Sequence, residues 1–495
     1  MVTVSVSGIV SALESAGVAV GPLVPVDAAA GRARVCGVQQ DSRRVGPGDL
    51  FVAWSGAVHD AHDYVAAAAA SGAAAAIVER PVPGAELPQI QVDNARLAAA
   101  VASGFVAGFP WRTLRTAGVT GTNGKTTVAL LLRGLLGRRA PAAAIGTLGV
   151  VGADGHVRNG TEGLTTPDPV RLAGHLSSLA RSGVTDVVIE SSSHALDQFR
   201  LDGIRFDVTA FTNLTRDHLD YHGSRERYLA AKARLLELGK EGATAVINAD
   251  DPAWRDLRPR GPEITYGLRP GTMLRAARVR LTSRESGFDL AWRGQVRRVT
   301  LPLPGGFNVS NALCAAGCAL ALGRSLEEVA AGLGSAAPVP GRMEVVTRKP
   351  FQVLIDFAHT PDALEQVLRA LRPLVSGRLI VVFGAGGDRD PAKRPAMGAA
   401  VSRYSDLAVV TSDNPRTEDP AGIVAQVAAG VSGCDAARIV DRRAAIHHAL
   451  EAASPGDAVL LAGKGHETYQ IVGTEKRPFD ERRIVMDHPA AGGCR

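Results

Sequence analysis

The sequence predicts an α/β protein of three domains, with a parallel sheet in the centre of the chain. At 495 residues the chain is too long for one compact core. Short β-branched runs alternate with helical segments over most of its length, which is typical of parallel strands covered by helices. Pro- and Gly-containing segments interrupt this alternation near residues 110 and 340. We therefore expect domains at residues 1–110, 111–340 and 341–495.

The first domain is predicted to be a small α/β unit. Residues 49–53 and 75–79 have the composition of strands, and the alanine-rich residues 64–71 that of a helix. Residues 108–111, Gly-Phe-Pro-Trp, are predicted to form a linker.

The second and third domains are predicted to contain parallel sheets. In the second domain, alternating apolar and polar residues at 274–303 indicate an antiparallel flap. The predicted strands of the second domain are residues 114–119, 187–190, 208–211 and 245–248, and its predicted helices are 125–136, 228–238 and 308–322. The predicted strands of the third domain are residues 353–356, 379–383, 407–411 and 458–462.

Composition and charge exclude several classes of protein. The net charge of +6 is small for this length, and no Lys/Arg block with interleaved aromatic residues indicates a nucleic-acid surface. Five cysteines without CxxC spacing are typical of a reducing compartment rather than of a disulfide framework. The N-terminus has no signal-peptide pattern, and the most apolar run, residues 65–78, is too short to cross a bilayer. We expect a cytoplasmic protein without a membrane or nucleic-acid partner.

Lysine usage points to particular positions. The chain has 48 arginines and only seven lysines, so arginine serves wherever a general positive charge is sufficient. Four of the seven lysines lie in or near the motifs described below: Lys125, Lys232, Lys393 and Lys464. A chemical role is therefore expected for these lysines.

A phosphate-binding loop is predicted at residues 121–127, which have the sequence GTNGKTT. This segment follows a predicted strand and opens a helix, so its backbone N–H groups and the helix dipole are available to phosphate oxygens. Lys125 is expected to reach the outer phosphates of ATP, and Thr126 to ligate Mg²⁺. Val119 stands where the general GxxxxGK[ST] pattern has its first glycine. The predicted ATP-binding residues of this loop are Gly121, Thr122, Asn123, Gly124, Lys125, Thr126 and Thr127.

This version of the loop resembles that of the Mur ligases and their folylpolyglutamate synthetase relatives, and the resemblance extends over nearly the whole chain. It is greatest to the members that add a diamino acid as the third residue of the peptide. It implies an N-terminal UDP-binding domain, a central P-loop ATPase-like domain and a C-terminal Rossmann-like domain. The other segments that carry it are residues 190–194, 211–222, 228–232, 308–311, 341–344, 356–362, 387–390, 413–416 and 463–467.

The resemblance implies a magnesium site beside the phosphate loop. Glu190 ends a predicted strand, where a carboxylate can ligate Mg²⁺. Lys232 is expected to be carbamylated to N6-carboxylysine, which would make it an oxygen ligand, and His218 to lie near the metal. Without the resemblance, Glu190 would be a solvated acid, Lys232 a surface lysine and His218 a core histidine.

Further residues are expected to bind the nucleotide. Asn308 and Asn311 open a predicted helix and are assigned to adenine, although helix capping alone would explain Asn308. Arg342, Asp356 and His359 follow the second domain break, where they are expected to touch the nucleotide from the third domain. Interdomain hydrogen bonding is the alternative for these three residues.

The resemblance also assigns the acceptor substrate, a UDP-linked muramoyl dipeptide (UDP-N-acetylmuramoyl-L-alanyl-D-glutamate). Hydroxyl, amide and guanidinium groups suit its sugar and carboxylates. Read without the resemblance, these positions are ordinary polar loop residues. The residues assigned to it are Gln40, Ser42, Ala57, Val58, His59, Leu164, Thr165, Thr166, Ser192, Gln198 and Arg200.

The third domain is expected to select diaminopimelate. Arg416 and Arg389 are candidates to bind the distal carboxylate, which lysine lacks, and Asp413 and Glu467 to bind amino groups. A turn position on the surface is the alternative for Arg416. The full set assigned to diaminopimelate is Arg389, Asp413, Asn414, Pro415, Arg416, Gly463 and Glu467.

The resulting hypothesis is an ATP-dependent amide ligase of peptidoglycan synthesis that acts through an acyl phosphate, and it is expected to be a monomer. Lys125, Glu190, Lys232 and His218 are its expected catalytic residues. One alternative is a different ligase, which adds L-lysine or a D-Ala-D-Ala dipeptide or extends folate with glutamate. The other alternative is a non-catalytic nucleotide-binding regulator. Arg416 argues against lysine, and intact Lys125 and Glu190 argue against a regulator. The sequence does not distinguish meso- from LL-diaminopimelate.

Overall fold

The computed structural model describes residues 3–24, 28–56 and 59–491. Its N-terminal part contains a five-stranded sheet in the order β2-β7-β6-β5-β4, parallel except for β2, and a separate antiparallel pair β1–β3. The strands are β1 (Val4–Ser5), β2 (Val20–Val24), β3 (Arg34–Val35), β4 (Gly37–Gln39), β5 (Asp49–Val52), β6 (Ala75–Val78) and β7 (Gln89–Val92). The helices are α1 (Val6–Ser15), α2 (Ala28–Arg32), α3 (Val65–Ala70) and α4 (Ala95–Val106).

The central part is built on one eleven-stranded sheet in the order β11-β10-β9-β12-β8-β13-β14-β15-β16-β17-β18. Its strands are β8 (Arg115–Thr120), β9 (Ala142–Gly146), β10 (Gly149–Val151), β11 (Val157–Arg158), β12 (Asp186–Glu190), β13 (Phe206–Phe211), β14 (Gly239–Asn248), β15 (Glu263–Gly267), β16 (Leu274–Leu281), β17 (Ser286–Trp292) and β18 (Gln295–Leu301). Its helices are α5 (Lys125–Gly137), α6 (Pro169–Arg181), α7 (Ser193–Asp197), α8 (Leu219–His222), α9 (Arg225–Ala233), α10 (Gly306–Ala321) and α11 (Leu326–Gly334).

In the sheet, the seven adjacent strands β9-β12-β8-β13-β14-β15-β16 run parallel. Each face of this sheet is covered by its own apolar cluster. Helices α5 and α10 pack on one face, and α6, α7 and α9 on the other. The prediction of a parallel, doubly covered sheet is therefore confirmed. The segment predicted as an antiparallel flap does form the antiparallel strands β16–β18, but β16 pairs with β15, so this segment continues the main sheet.

The C-terminal part has a six-stranded sheet in the order β19-β20-β24-β21-β22-β23, parallel except for β19. Helices α12–α14 cover one face and α15–α16 the other, which is a Rossmann-like arrangement. Its strands are β19 (Glu344–Thr347), β20 (Gln352–Asp356), β21 (Leu379–Phe383), β22 (Leu407–Val410), β23 (Asp435–Arg438), β24 (Ala458–Ala462), β25 (Tyr469–Val472) and β26 (Glu475–Pro478). Its helices are α12 (Pro361–Leu371), α13 (Lys393–Ser402), α14 (Pro420–Ala428), α15 (Arg442–Ala452) and α16 (Glu481–Met486).

Two local predictions differ from the structure. The helix predicted at 228–238 begins earlier, and after α9 it tightens into the 3₁₀ turn Arg234–Leu238. Helix α10 has Gly305 as its N-cap, so capping by Asn308 is wrong; the Asn308 amide instead donates to the Pro304 carbonyl at 2.8 Å. The three sheets lie within the three predicted domains, whose limits at residues 110 and 340 stay a prediction. Among the described helices, none is both long and apolar enough to cross a membrane.

Candidate active site

The loop between β8 and α5 has the conformation that its glycines allow. Gly121 and Gly124 have φ of +146° and +87°, which side chains disfavour. Space is also limiting, because a Cβ on Gly121 would stand 1.8 Å from Thr212 Oγ1 and one on Gly124 2.2 Å from Asn311 Oδ1. Lys125 begins helix α5, so the free N–H groups of its first turn face the loop.

Two lysines enter this loop from different helices. Lys125 Nζ donates to the Gly121 and Thr122 carbonyls, at 2.9 and 2.8 Å. Lys232, on α9, is 1% exposed, so the surface-lysine alternative is wrong. Burial lowers the pKa of Lys125, and burial together with the charge of Lys125 lowers the pKa of Lys232 well below its usual value. Burial therefore favours the neutral amine of Lys232 over its ammonium form.

Glu190, at the end of β12, is buried rather than solvated, with 2% exposure. Its carboxylate accepts hydrogen bonds from Thr126 Oγ1 at 3.0 Å and from the Thr147 backbone N–H at 3.0 Å. Burial raises its pKa, and the charges of Lys125 and Arg342 oppose that effect. The carboxylate is thus placed against the first turn of the helix that follows the phosphate loop.

The residues present fit a magnesium ion. A hydroxyl and a carboxylate are oxygen ligands of the kind that Mg²⁺ prefers, and Thr126 and Glu190 bring one of each together beside the loop. The Lys232 ammonium itself repels a cation, but the neutral amine favoured by burial is the form that reacts with CO₂ to give a carbamate. Within residues 3–24, 28–56 and 59–491, no group of three or more His, Cys, Asp or Glu side chains is arranged for a metal. Phosphate oxygens and water would therefore complete the ligand set.

His218 is not a buried core histidine, since its side chain is 45% exposed. It has a φ of +52° and precedes helix α8. Its ring lies 4.7 Å from that of His194, edge to face, and Nε2 is 3.3 Å from the Asp217 carboxylate. The removal of part of its ring from solvent lowers its pKa despite the opposing charge of Asp217. A position near the metal stays a prediction for this residue.

The third domain reaches the phosphate loop directly. Arg342 Nη2 donates to Thr126 Oγ1 at 3.1 Å, while its guanidinium lies 4.6 Å from the centroid of the Phe357 ring. Asp362 was not predicted, although it ends one of the quoted motifs. Its carboxylate accepts from Asn123 Nδ2 at 3.3 Å and from Thr215 Oγ1 at 2.7 Å. Both residues therefore join the third domain to the phosphate loop and its surroundings in the second.

The other predicted nucleotide residues have internal partners. Asp356 accepts from the Met343 and Ala358 backbone N–H groups, at 2.7 and 2.8 Å. His359 Nδ1 lies 2.7 Å from the Phe357 carbonyl. Asp356 thus shapes the backbone of its own domain, while a nucleotide contact stays a prediction for both. On α10, Asn311 donates to Asn308 Oδ1 at 3.2 Å, and its own Oδ1 lies against Gly124 of the loop.

Four residues assigned to the acceptor form one network. Thr166 Oγ1 donates to the Glu190 carbonyl at 2.6 Å and lies 3.2 Å from Ser192 Oγ. Arg200 donates to the Thr166 carbonyl at 3.0 Å and, through two nitrogens, to Gln198 Oε1. This network begins at the backbone of Glu190, next to the proposed metal site.

The remaining acceptor residues are more dispersed. Thr165 receives a hydrogen bond from Thr147 at 3.2 Å, and Leu164 is exposed. In the first domain Ser42 begins a 3₁₀ turn and His59 is exposed. The buried Gln40 Nε2 has no hydrogen-bond partner in the described structure, so its N–H groups are available to donate to a ligand. Ala57 and Val58 lie outside the described residues.

The diaminopimelate residues gather where β22 and β24 end. Arg416 is half-buried with a φ of +52°, and its Nη1 donates to the Gly387 carbonyl at 2.6 Å, so it is not a free surface residue. The buried Pro415 lies beside Gly387, where a Cβ would meet the Pro415 carbonyl oxygen at 1.9 Å. Arg389 is exposed. Its Cγ and Arg416 Nη1 both lie close to Gly386. The two arginines therefore share one edge of the sheet.

Asp413 and Glu467 have a partner within the protein, and their contact with substrate amino groups stays a prediction. Both already face the buried ammonium of Lys464, at 3.3 and 3.5 Å. Gly463 directly precedes this lysine, and Asn414 joins the same cluster, with its Oδ1 3.0 Å from Lys464 Nζ. Lys464 was one of the four lysines expected to have a chemical role, but it was not assigned to the diaminopimelate site. Its place in the quoted 463–467 motif and the rarity of lysine were signals that could have indicated it.

Comparison with known families covers most of the chain. Residues 34–105 match the Mur ligase family catalytic domain, residues 119–319 the Mur ligase middle domain, and residues 341–465 the Mur ligase glutamate ligase domain.

Similar proteins with curated names support the same family. The chain is 41% identical to the UDP-N-acetylmuramoyl-L-alanyl-D-glutamate–2,6-diaminopimelate ligase of Geobacillus kaustophilus, over 92% of this chain and 95% of that protein. It is 44% identical to the ligase of the same name from Gloeobacter violaceus, over 92% of this chain and 93% of that protein.

Solved structures are similar over comparable lengths. One, of a UDP-N-acetylmuramoyl-L-alanyl-D-glutamate–2,6-diaminopimelate ligase, has 33% identity and a TM-score of 0.68, covering 98% of each chain. The MurF ligase of Thermotoga maritima in complex with ADP has 20% identity and a TM-score of 0.64, covering 87% of this chain and 94% of that one. The similarity to the MurF ligase supports a shared fold and nothing further.

Proposed function

The chain belongs to the Mur ligase family, and from that premise we propose that it joins diaminopimelate to UDP-N-acetylmuramoyl-L-alanyl-D-glutamate in peptidoglycan synthesis. ATP is its co-substrate, and the product is a UDP-linked muramoyl tripeptide. The observation that carries the assignment of diaminopimelate is the 41–44% identity to diaminopimelate ligases over 92% of the chain. The position of Arg416 at the edge of the third sheet supports it, because a guanidinium there suits a second carboxylate.

The phosphate loop is proposed to hold ATP. The N–H groups at the start of α5 and the Lys125 ammonium face the space where phosphates would lie. Arg342, which reaches Thr126 from the third domain, adds a positive charge on the opposite side. Spreading the charge of the transferred phosphoryl group over such fixed donors is the main protein contribution to this type of reaction.

The proposed reaction has two steps, and neither uses a protein nucleophile. The D-glutamyl carboxylate attacks the γ-phosphorus of ATP, giving an acyl phosphate and ADP. The neutral amine of diaminopimelate then attacks the acyl carbon, and the tetrahedral intermediate collapses to the amide and phosphate. The network of Thr166, Ser192 and Arg200 is proposed to orient the acceptor beside Glu190.

Mg²⁺ is proposed to be held by Thr126, Glu190 and the carbamate of Lys232, and when bound it neutralises phosphate charge. The contacts of Arg342 and Asp362 with the loop indicate that the third domain closes over the site. Closure would exclude water, which otherwise hydrolyses an acyl phosphate. Cytoplasmic location and a monomeric state belong to the same proposal.

The first experiment measures phosphate release with ATP, Mg²⁺ and the UDP-linked dipeptide. Parallel reactions contain meso-diaminopimelate, LL-diaminopimelate or L-lysine. Release that depends on a diaminopimelate, with lysine inert, is the expected result. Preference for lysine would overturn the role of Arg416 and keep the family. No turnover with any amino acid would overturn the proposed acceptor and favour a nucleotide-binding regulator.

A further inference from the structure

A lysine ammonium lies inside the predicted diaminopimelate site with no exposure to solvent. Lys464 Nζ is surrounded by Asp413 Oδ1 at 3.3 Å, Asn414 Oδ1 at 3.0 Å and Glu467 Oε2 at 3.5 Å. The backbone directs it inward, because Gly463 and Gly465 on either side have φ of +118° and +56°. A buried charge is retained only when it is paired, and here the chain supplies three oxygen partners.

The charges of this cluster are not balanced. Asp413 and Glu467 carry two negative charges and Lys464 one positive charge. The charge of the nearby Arg442 helps Lys464 to hold the pKa of Asp413 below its usual value despite burial, but Arg442 is itself paired with Glu481, which accepts from its Nε at 2.7 Å. One negative charge is therefore left over, and one substrate ammonium would neutralise it. Glu467 is the more accessible of the two acids, with a side chain 18% exposed against 8% for Asp413.

The cluster is joined to Arg416 through the hairpin β25–β26. Asn414 Oδ1, which accepts a hydrogen bond from Lys464 Nζ, also accepts one from the Ile471 backbone N–H at 2.9 Å. The carbonyl of Ile471 in turn accepts from the Arg416 N–H at 3.1 Å, and the Arg416 carbonyl accepts from Gly473 N–H at 2.7 Å. These bonds hold the backbone of Arg416 in its left-handed conformation.

We infer that Lys464 is a positioning residue for the amino-acid substrate. Its ammonium pairs with both acids and orients Asn414. Glu467, the more exposed of the two acids, then receives the substrate ammonium, while Arg416 is held ready for the distal carboxylate. This inference rests on the proposed function and assigns different roles to two acids that the sequence treats alike. Asn414 Nδ2 supports the assignment, because it donates to Glu467 Oε2 at 3.0 Å and so fixes that carboxylate.

The test compares K464A with the wild type and with K349M, which removes an exposed lysine of the same domain. KM is measured for each of the three substrates. We expect the KM for diaminopimelate to rise about 30-fold in K464A, the range for a buried charged group that loses its partner. The KM values for ATP and the UDP-linked dipeptide should stay within about twofold, and K349M should match the wild type. A uniform rise in all three KM values would indicate a merely structural role and overturn the inference.

Chemical rescue of K464A by small molecules distinguishes the loss of the charge from the loss of packing. n-Propylammonium replaces the atoms that K464A lacks, including the charge, and n-propanol fills the same space without a charge. We expect the ammonium, and not the alcohol, to lower the KM for diaminopimelate. Equal rescue by both, or none by either, would overturn the inference.

A second variant covers the case in which K464A does not fold. Gln470 Nε2 donates to the Asp413 carbonyl at 2.6 Å, so Q470A loosens the same cluster without leaving a buried charge. It should raise the KM for diaminopimelate about fivefold, the loss of one hydrogen bond, and an unchanged value would overturn the inference. A wild type that uses only another amino acid would instead refute the proposed function, and the same KM comparison would then be made with that amino acid.

Discussion

Lys125 and Lys232 donate to the same acceptor, the carbonyl oxygen of Gly121, at 2.9 and 2.8 Å. Two buried ammonium groups on one oxygen repel each other, and the more enclosed one gains most by losing its proton. The ring of Tyr228 lies 4.4 Å from Lys232 Nζ and is a weak compensation for a full charge. This geometry supports the proposal that Lys232 reacts with CO₂ and that Lys125 is the cation for phosphates.

Replacing Lys232 should therefore lower the activity while it raises the stability of the fold. We expect K232M to lower kcat by at least about 100-fold, as expected for a lost electrostatic contribution. It should also be more stable than the unmodified wild type at neutral pH. The folded-state pKa of Lys232 is depressed, so the unfolded chain binds more protons there and wild-type stability rises as pH increases toward 10.5.

The measurements are thermal unfolding from pH 7 to 10 and ¹³C NMR with labelled bicarbonate. The stability difference between K232M and the wild type should shrink as pH rises, and a carbamate signal should be present only in the wild type. A carbamate signal that persists in K232M would contradict the assignment to Lys232. K240M, which removes a lysine paired with Asp207, is the control.

Glu190 should set the acidic limit of activity. Burial raises its pKa, so the ionised carboxylate is lost at a pH above the usual value of 4.5 as the solution is acidified. E190Q should lower kcat about 100-fold and weaken the dependence on Mg²⁺, since an amide cannot supply the negative charge. Phosphate release measured against pH and Mg²⁺ concentration checks both effects. E237Q, an exposed acid of the same domain, should behave as wild type.

Arg200 should act on the acceptor substrate alone. Its guanidinium connects Gln198 to the backbone of Thr166, and burial lowers its pKa, so it lies in a partly enclosed site. We expect R200A to raise the KM for the UDP-linked dipeptide about 30-fold, the effect of losing a charge-assisted hydrogen bond. Steady-state kinetics with each substrate varied in turn would reveal it. An equal increase for ATP would refute this separation.

Arg416 and Arg389 should contribute unequally to amino-acid selection. Arg416 is held by Gly387 and by the hairpin, whereas Arg389 is exposed and reaches only the Asp388 carbonyl, at 3.4 Å. R416A should raise the KM for diaminopimelate about 100-fold, and R389A about tenfold, because a preorganised donor loses more when removed. Competition between diaminopimelate and L-lysine is the measurement. A larger effect of R389A would reverse the assignment.

Local sequence patterns were sufficient for the elements and for the phosphate loop. The glycines of residues 121–124 and the strand–loop–helix order predicted the conformation found, and the strand at 379–383 was placed with its observed limits. These features depend on backbone conformation and on hydrophobic periodicity, which neighbouring residues determine. Helix α9 was less accurate at its end, because packing tightens the last turn into a 3₁₀ turn.

The sequence by itself determined the three α/β units, the conformation of the loop at residues 121–127 and the family to which the chain belongs. Only the tertiary structure decided which charged groups face one another. It buried Lys232 beside Lys125, although most helix lysines are exposed, and it placed Lys464 among Asp413, Asn414 and Glu467. It also brought Asp362 to the phosphate loop from a distant part of the chain. Burial and electrostatic pairing arise between segments far apart in sequence, so a local pattern cannot specify them.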